Sequence, residues 1–223
     1  MTTTDRPLGF WGELGELVTA YRKYDPATNN VFEIFFLYPG IRAWVLHRIA
    51  HVLYVAHLPF FPRLFSEWSR FFTGIDIHPG ATIGRRVIMD HGMGIVIGET
   101  AIVGNDVLIY QGVTLGGTSL ERAKRHPTIG HNCVLGAGAK VLGNIDIGAG
   151  SRIGANSVVV RDVPAGCTVV GIPGKVVVSA GVTLGEELDH GKLPDPVSQK
   201  CNDLESRIAT LEKKLQESQR VSS

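Results

Sequence analysis

Cysteine is scarce: Cys133, Cys167 and Cys201 are the only three in 223 residues. They are too few and too scattered for a disulfide framework or a zinc knuckle, and a reducing, cytoplasmic setting is expected. Neither sign of charge is in excess, with 22 Lys+Arg against 21 Asp+Glu. A balanced chain offers no electrostatic footprint for a polyanion, so nucleic acid is not an expected partner. Met1-Thr2-Thr3-Thr4-Asp5-Arg6-Pro7 lacks a basic region followed by an apolar run, and no signal peptide is expected. A long uninterrupted apolar run is missing too. Val31 to Phe65 is rich in Phe, Leu, Val and Ile, but Arg42, His47, Arg48, His51, Pro39, Pro59 and Pro62 interrupt it. With no charge-free window of about 18 residues, a membrane span is disfavoured, and no membrane partner is expected. The segment reads as packed helices, so residues 1–72 are expected to form a helical region broken at Gly40 and at the Pro59/Pro62 pair.

Glycine, by contrast, is abundant at 27 residues and unevenly spread. Through the middle of the chain an aliphatic residue, usually followed by glycine, recurs every six residues. Ile77, Ile83 and Met89 begin the series, Ile97, Val103, Ile109 and Leu115 continue it, and Ile129, Leu135, Val141, Ile147, Ile153 and Val159 complete it. Small or branched residues such as Ala81, Ala101, Val107, Cys133, Ala139, Ser151 and Ser157 stand four positions after the aliphatics. A period of six matches neither an amphipathic helix nor an alternating strand. It suits a triangular solenoid in which three hexapeptides make one coil and the aliphatics stack along a shared axis. Thirteen aliphatics in register predict a little over four coils.

The register breaks twice. Met89 and Ile97 are eight apart, around Asp90-His91-Gly92-Met93-Gly94. Leu115 and Ile129 are fourteen apart, around Gly116-Gly117-Thr118 and a charged loop ending in Arg125-His126-Pro127. A solenoid tolerates an insertion only where it can leave the stack, so ionisable groups set there point to function.

The repeat resembles the hexapeptide-repeat acyltransferases. The order of Asp76-Ile77-His78-Pro79-Gly80-Ala81, Asp90-His91-Gly92, Val96-Ile97-Gly98-Glu99-Thr100, Val113-Thr114-Leu115-Gly116-Gly117-Thr118 and Arg125-His126-Pro127 narrows the resemblance to the serine O-acetyltransferase family. Asp25-Pro26-Ala27 and His47-Arg48-Ile49-Ala50-His51 match upstream, and Val170-Gly171-Ile172-Pro173-Gly174 downstream. The resemblance covers about residues 20–178. It implies a mainly β fold: a left-handed parallel β-helix over 73–178, after the N-terminal α-helical region.

It also implies direct transfer of an acetyl group from acetyl-CoA to the hydroxyl of L-serine, the first step of cysteine biosynthesis. Acetyl-CoA serves as co-substrate and no metal is expected. His91 matches the family's general base, a role suited to a side chain that titrates near neutrality. Asp76 matches its carboxylate partner. Asp25 and Asp90 match positions that hold the serine ammonium, and Arg125 and His126 those that hold its carboxylate, for which a guanidinium fork is apt. Gly117, Thr118, Ala137 and Ala155 match positions lining the coenzyme A groove. Asp25-Pro26 also reads as a helix start with Asp as cap. Family members are typically trimers with active sites between subunits. About 24 residues precede Asp25, which favours a homotrimer over a dimer of trimers.

Two other readings use the same repeat. An acetyltransferase for a sugar or antibiotic usually lacks the helical Asp-Pro-Ala and His-Arg-Ile-Ala-His motifs. A γ-class carbonic anhydrase binds zinc through three histidines, two of them five apart, as His126 and His131 are here with His91 about two coils earlier. That reading leaves Asp90 and Arg125 idle. Residues 179–198, with Pro194 and Pro196, read as a linker, and 199–223 as a terminal helix. There Leu204, Ile208, Leu211 and Leu215 alternate spacings of four and three, the seam of a short coiled coil or of a helix docked on the body. The well-studied family tails that bind O-acetylserine sulfhydrylase end in isoleucine. This chain ends Arg220-Val221-Ser222-Ser223, so that partnership is not expected.

Overall fold

The computed structural model describes residues 8–25, 30–178, 201 and 203–212. Four helices come first: α1 (Phe10–Tyr24), α2 (Val31–Leu37), α3 (Pro39–Val55) and α4 (Phe61–Thr73). Helix α1 carries Glu13 in its first turn and Arg22 and Lys23 in its last, both favourable to the helix dipole. Helix α2 is capped by Asn30, whose side chain accepts a hydrogen bond from the Phe32 N–H at 2.9 Å. The expected break at Gly40 falls elsewhere. Tyr38 separates α2 from α3, Pro39 occupies the first turn of α3, and Gly40 lies inside the helix. Glycine is needed there for a close approach: a Cβ at residue 40 would lie 2.0 Å from the Tyr21 hydroxyl and 2.6 Å from the Met89 carbonyl oxygen. The second expected break is present between α3 and α4, with Pro62 in the first turn of α4. The reading of Asp25 as a helix start is corrected, because Asp25 is the residue that closes α1.

Fifteen short strands follow among the described residues: β1 (Asp76–Ile77), β2 (Thr82–Ile83), β3 (Ile88–Met89), β4 (Val96–Ile97), β5 (Ile102–Val103), β6 (Leu108–Ile109), β7 (Thr114–Gly116), β8 (Thr128–Ile129), β9 (Val134–Leu135), β10 (Lys140–Leu142), β11 (Asp146–Ile147), β12 (Arg152–Ile153), β13 (Val158–Val159), β14 (Thr168–Val170) and β15 (Lys175–Val178). Successive strands visit three parallel sheets in rotation. The first face is β1-β4-β7-β10-β13, the second β2-β5-β8-β11, and the third β3-β6-β9-β12-β14, with β15 added antiparallel. Pairing joins each aliphatic to its equivalent one coil away. Ile77, Ile97, Leu115, Val141 and Val159 form one column. Ile83, Val103, Ile129 and Ile147 form the second, and Met89, Ile109, Leu135, Ile153 and Val169 the third.

All thirteen aliphatics of the sequence pattern are buried. Each fully buried side chain of this size stabilises by roughly 1.5–3 kcal/mol relative to exposure. The chain completes a fifth coil that the six-residue count passes over. Val163, four residues after Val159, bridges to Ile147, and Val169 closes the third column. Left-handed backbone recurs at two of the three corners. Gly74, Gly94, Gly112, Gly138 and Asn156 mark the corner between third and first faces, and Arg86, Asp106, Asn132, Gly150 and Gly166 that between second and third. Buried residues of α1–α3 and of the coils belong to one continuous cluster. Among the described residues no helix is long and apolar enough to cross a membrane. The expected linker, 179–198, lies outside the described residues. Of the expected terminal helix, 201 and 203–212 are helical and exposed, and Leu215 lies outside.

Candidate active site

The eight-residue interval between Met89 and Ile97 is a two-residue insertion at the corner between third and first faces. Gly94 N–H donates to the Gly74 carbonyl at 2.9 Å, restoring the stack after the insertion. Within it, Gly92 N–H donates to Asp90 O at 2.7 Å and Met93 N–H to His91 O at 2.8 Å, two successive three-residue turns. They force His91 to φ 57°, an uncommon conformation for a residue with a Cβ. The result is presentation: 72% of the His91 side chain is exposed, while Gly92 beside it is buried.

Asp90 is the imidazole's nearest acid, with Oδ2 3.7 Å from His91 Nε2, and its Oδ1 accepts the His91 backbone N–H at 3.0 Å. Helix α1 delivers two more groups to this corner. The Tyr24 hydroxyl donates to Asp90 Oδ2 at 3.1 Å and lies 2.9 Å from the Tyr110 hydroxyl. Burial, reinforced by the Tyr110 hydroxyl and the Asp90 charge, pushes the Tyr24 pKa up, so Tyr24 remains a donor. The next residue, Asp25, accepts from the Tyr38 hydroxyl at 2.5 Å. Tyr21 anchors the same helix from below, donating to the Met89 carbonyl at 3.1 Å and accepting from the Met89 N–H at 2.9 Å. Asp76 stands apart. It begins β1 on the first face, and among the described residues its carboxylate makes no hydrogen bond to His91. Its nearby titratable group is His78, whose pKa burial lowers against the raising influence of Glu99 and Asp76.

Arg125 and His126 meet at a different corner, between first and second faces, where the loop from β7 to β8 folds back. The Thr100 hydroxyl organises them. It accepts the backbone N–H groups of Arg125 at 3.0 Å and His126 at 3.1 Å, and lies 2.9 Å from His126 Nδ1. Thr100 N–H also donates to that Nδ1 at 3.2 Å. An Nδ1 that accepts from a backbone amide carries no proton, which leaves the proton of the neutral ring on Nε2. Burial and then the Arg125 charge lower the His126 pKa, so the neutral form prevails at pH 7. The ring lies over Gly98, where a Cβ would sit 2.1 Å from Nε2. The Arg125 guanidinium donates to Glu99 Oε2 and to the Glu121 carbonyl. Burial acts to raise the Glu99 pKa, but the Arg125 hydrogen bond and the His78 and Arg125 charges outweigh it and hold the carboxyl below the usual range. Tyr54 donates to Glu99 Oε1 at 3.2 Å.

The four groove positions divide in the same way. Ala137 and Ala155 continue the His91 corner, stacked through the Gly138 N–H to Gln111 O and Asn156 N–H to Ala137 O bonds. Gly117 and Thr118 belong to the His126 corner, with Gly117 close to the ring. The histidines of the zinc reading, His91, His126 and His131, occupy three different corners. Among the described residues no group of three or more His, Cys, Asp or Glu is gathered for a metal ion. Tyr24, Tyr38, Tyr110, Glu99 and Thr100 are site groups that sequence reasoning did not single out. Tyr110 carried a usable signal, since it follows Ile109 as Asp90 follows Met89, one coil apart on the same face. Tyr24 and Tyr38 carried none, because only helix packing brings them to the coils.

Residues 126–161 match the model of the bacterial transferase hexapeptide (six repeats) family. A serine acetyltransferase of Synechococcus elongatus is 57% identical over 192 residues, 86% of this chain and 78% of that protein. The serine acetyltransferase of Bacillus subtilis is 52% identical over 208 residues, 93% of this chain and 96% of that one. The chain belongs to the serine acetyltransferase family. Among solved structures, the Brucella abortus serine acetyltransferase in complex with coenzyme A superposes with a TM-score of 0.74 at 38% identity, over 78% of this chain and 70% of that one. Family membership spans both candidate corners and the helices that approach them, since the Bacillus subtilis relative aligns over nearly the whole chain.

Proposed function

We propose that this chain transfers the acetyl group of acetyl-CoA to the hydroxyl of L-serine, giving O-acetyl-L-serine and coenzyme A, and so opens cysteine biosynthesis. His91 is the general base. The carrying observation is its placement: an exposed imidazole on a left-handed insertion, 3.7 Å from a carboxylate, beside coils that are otherwise aliphatic and small. The imidazole takes the serine hydroxyl proton as the oxygen attacks the thioester carbonyl, then returns a proton to the departing coenzyme A sulfur. Asp90 stabilises the imidazolium in the present conformation. Asp76 would take that part if the exposed ring rotates toward the first face. Asp25 and Asp90 receive the serine ammonium, and Arg125 with the Nε2–H of His126 receives its carboxylate.

The first face separates the His91 and Arg125 corners by about four residues, or roughly 13 Å at ~3.3 Å per residue, a wide gap for the two ends of one serine. We therefore place the site between copies: the His91 corner of one chain faces the Arg125 corner of the next in a homotrimer of left-handed β-helices. Coenzyme A would run beside Ala137 and Ala155 of one copy and Gly117 and Thr118 of the other. The buried free thiols Cys133 and Cys167 suit a reducing cytoplasm.

Replacing His91 with Ala is expected to lower acetyl-CoA turnover with L-serine by about 10²–10⁴-fold, followed as thiol release. Replacing Arg125 with Ala should instead raise the KM for serine. Turnover by the His91 variant within threefold of the parent, or no turnover of serine by the parent, would sink the proposal.

A further inference from the structure

The C-terminal helix leaves an apolar stripe in water. Leu204, Ile208 and Leu211 are 48%, 54% and 64% exposed, and residues 203–212 are exposed throughout. In heptad terms Cys201 and Ile208 occupy a positions and Leu204 and Leu211 d positions, and by sequence Leu215 is the next a. The charges beside the seam are sorted by sign. Both e positions are acidic, Glu205 and Glu212, and the g positions are basic, Arg207 in the helix with Lys200 and Lys214 flanking it in sequence.

That sorting selects an orientation. In a parallel coil a g residue faces the e residue five positions later on the neighbouring helix, so Arg207 meets Glu212 of the next copy. An antiparallel pair would set e against e and g against g, placing like charges together. A second copy in parallel register is therefore the partner this surface fits. A rotationally symmetric trimer supplies it, because its three tails leave the body in the same direction. Two to three heptads are marginal for isolated helices, but tethering to one body raises their effective concentration.

We propose that the helices of three copies join as a parallel coiled coil, with the three Cys201 side chains in one layer. The number three rests on the trimer proposed above; the parallel orientation rests on the charges alone.

Oxidation of the full-length protein by diamide tests this. Diamide takes the hydrogens of two thiols and leaves one S–S bond, so a layer of three Cys201 yields one linked pair and one free chain. The expected result is a native trimer by light scattering, with a Cys201–Cys201 link approaching two-thirds of the chains on a non-reducing gel. The linked peptide is identified by mass spectrometry. Ile208→Asp should lower the linking rate at least about fivefold while the body stays trimeric and active. Arg207→Glu should lower it as well, and the double variant Arg207→Glu, Glu212→Arg should restore it. A native trimer whose Cys201 does not link, or links equally fast in Ile208→Asp, overturns the coil and spares the trimer. Failure of the double variant to restore linking overturns the parallel register. A native mass other than three chains overturns the trimer and the number three with it.

Discussion

The coils and helix α4, which packs on the first of them, bury their residues by opposite routes. In the solenoid every aliphatic of the repeat points inward, and its neighbours above and below complete its burial. Helix α4 is arranged the other way. Its buried residues are Pro62, Ser66, Ser69 and Thr73, while Trp68, Phe71 and Phe72 face outward, Phe71 at 82% exposure. Ser66 is inside because its hydroxyl donates to the Ile77 carbonyl of β1 at 2.8 Å. Small polar residues let the helix approach the first coil, and the aromatic face is left over. The columns are thus completed by stacking, whereas α4 carries an exposed apolar surface of the kind that marks an interface.

Four measurements test this contrast. The largest effect is expected in the columns. Ile109 is fully buried, and Ile109→Ala should cost about 2–5 kcal/mol in denaturant unfolding, because rigid neighbours above and below cannot close the cavity. A second effect lies where helices meet coils. His47 of α3 is 2% exposed, and its ring nitrogens are buried with no well-formed hydrogen bond among the described residues, the Ala81 backbone being a polar neighbour. Burial, aided by the charges of His51 and Arg48, depresses its pKa from 6.5 to about 3. Between those values the unfolded chain binds the proton and the folded chain does not. The contribution is therefore complete above pH 6.5 and is lost as pH falls toward 3, at up to about 1.4 kcal/mol per pH unit. His47→Leu should flatten the acid limb of a stability–pH curve over that window.

Gly40→Ala comes next, at about 1–3 kcal/mol for overpacking. It should also lower turnover, since the added methyl displaces the Tyr21 hydroxyl from Met89, the residue before Asp90-His91. The smallest change is expected on the outer face of α4. Phe71→Ala should alter unfolding of the dissociated chain by under about 0.5 kcal/mol, measured at low protein concentration. A loss as large as that of Ile109→Ala would show that the outer face is part of the fold itself.

Legibility in the sequence follows the same division. The columns could be counted because each aliphatic's burial depends on residues a fixed number of positions away. Val163 escaped the count because the last coil is shortened, four residues instead of six after Val159. The two breaks marked Asp90-His91 and Arg125-His126 as insertions. That they stand on different corners needed the strand order. Gly40 looked like a helix break and is a contact point, a distinction invisible without Tyr21 and Met89 lying over it. The pairing of Asp76 with His91 came from resemblance, and in this conformation the imidazole sits by Asp90 instead.

The repeat, the inward columns, the places where the chain leaves the stack, and the sign-sorted seam of the terminal helix can all be read from the order of residues. All are local or periodic properties, carried by residue spacing. Tertiary structure alone decided which side chains share a corner: Tyr24 on Asp90, Tyr38 on Asp25, and Thr100 holding His126 in its Nε2–H form. Those contacts join residues 13 to 66 positions apart, set by how the helices dock and how the coils close, and no period in the sequence encodes them.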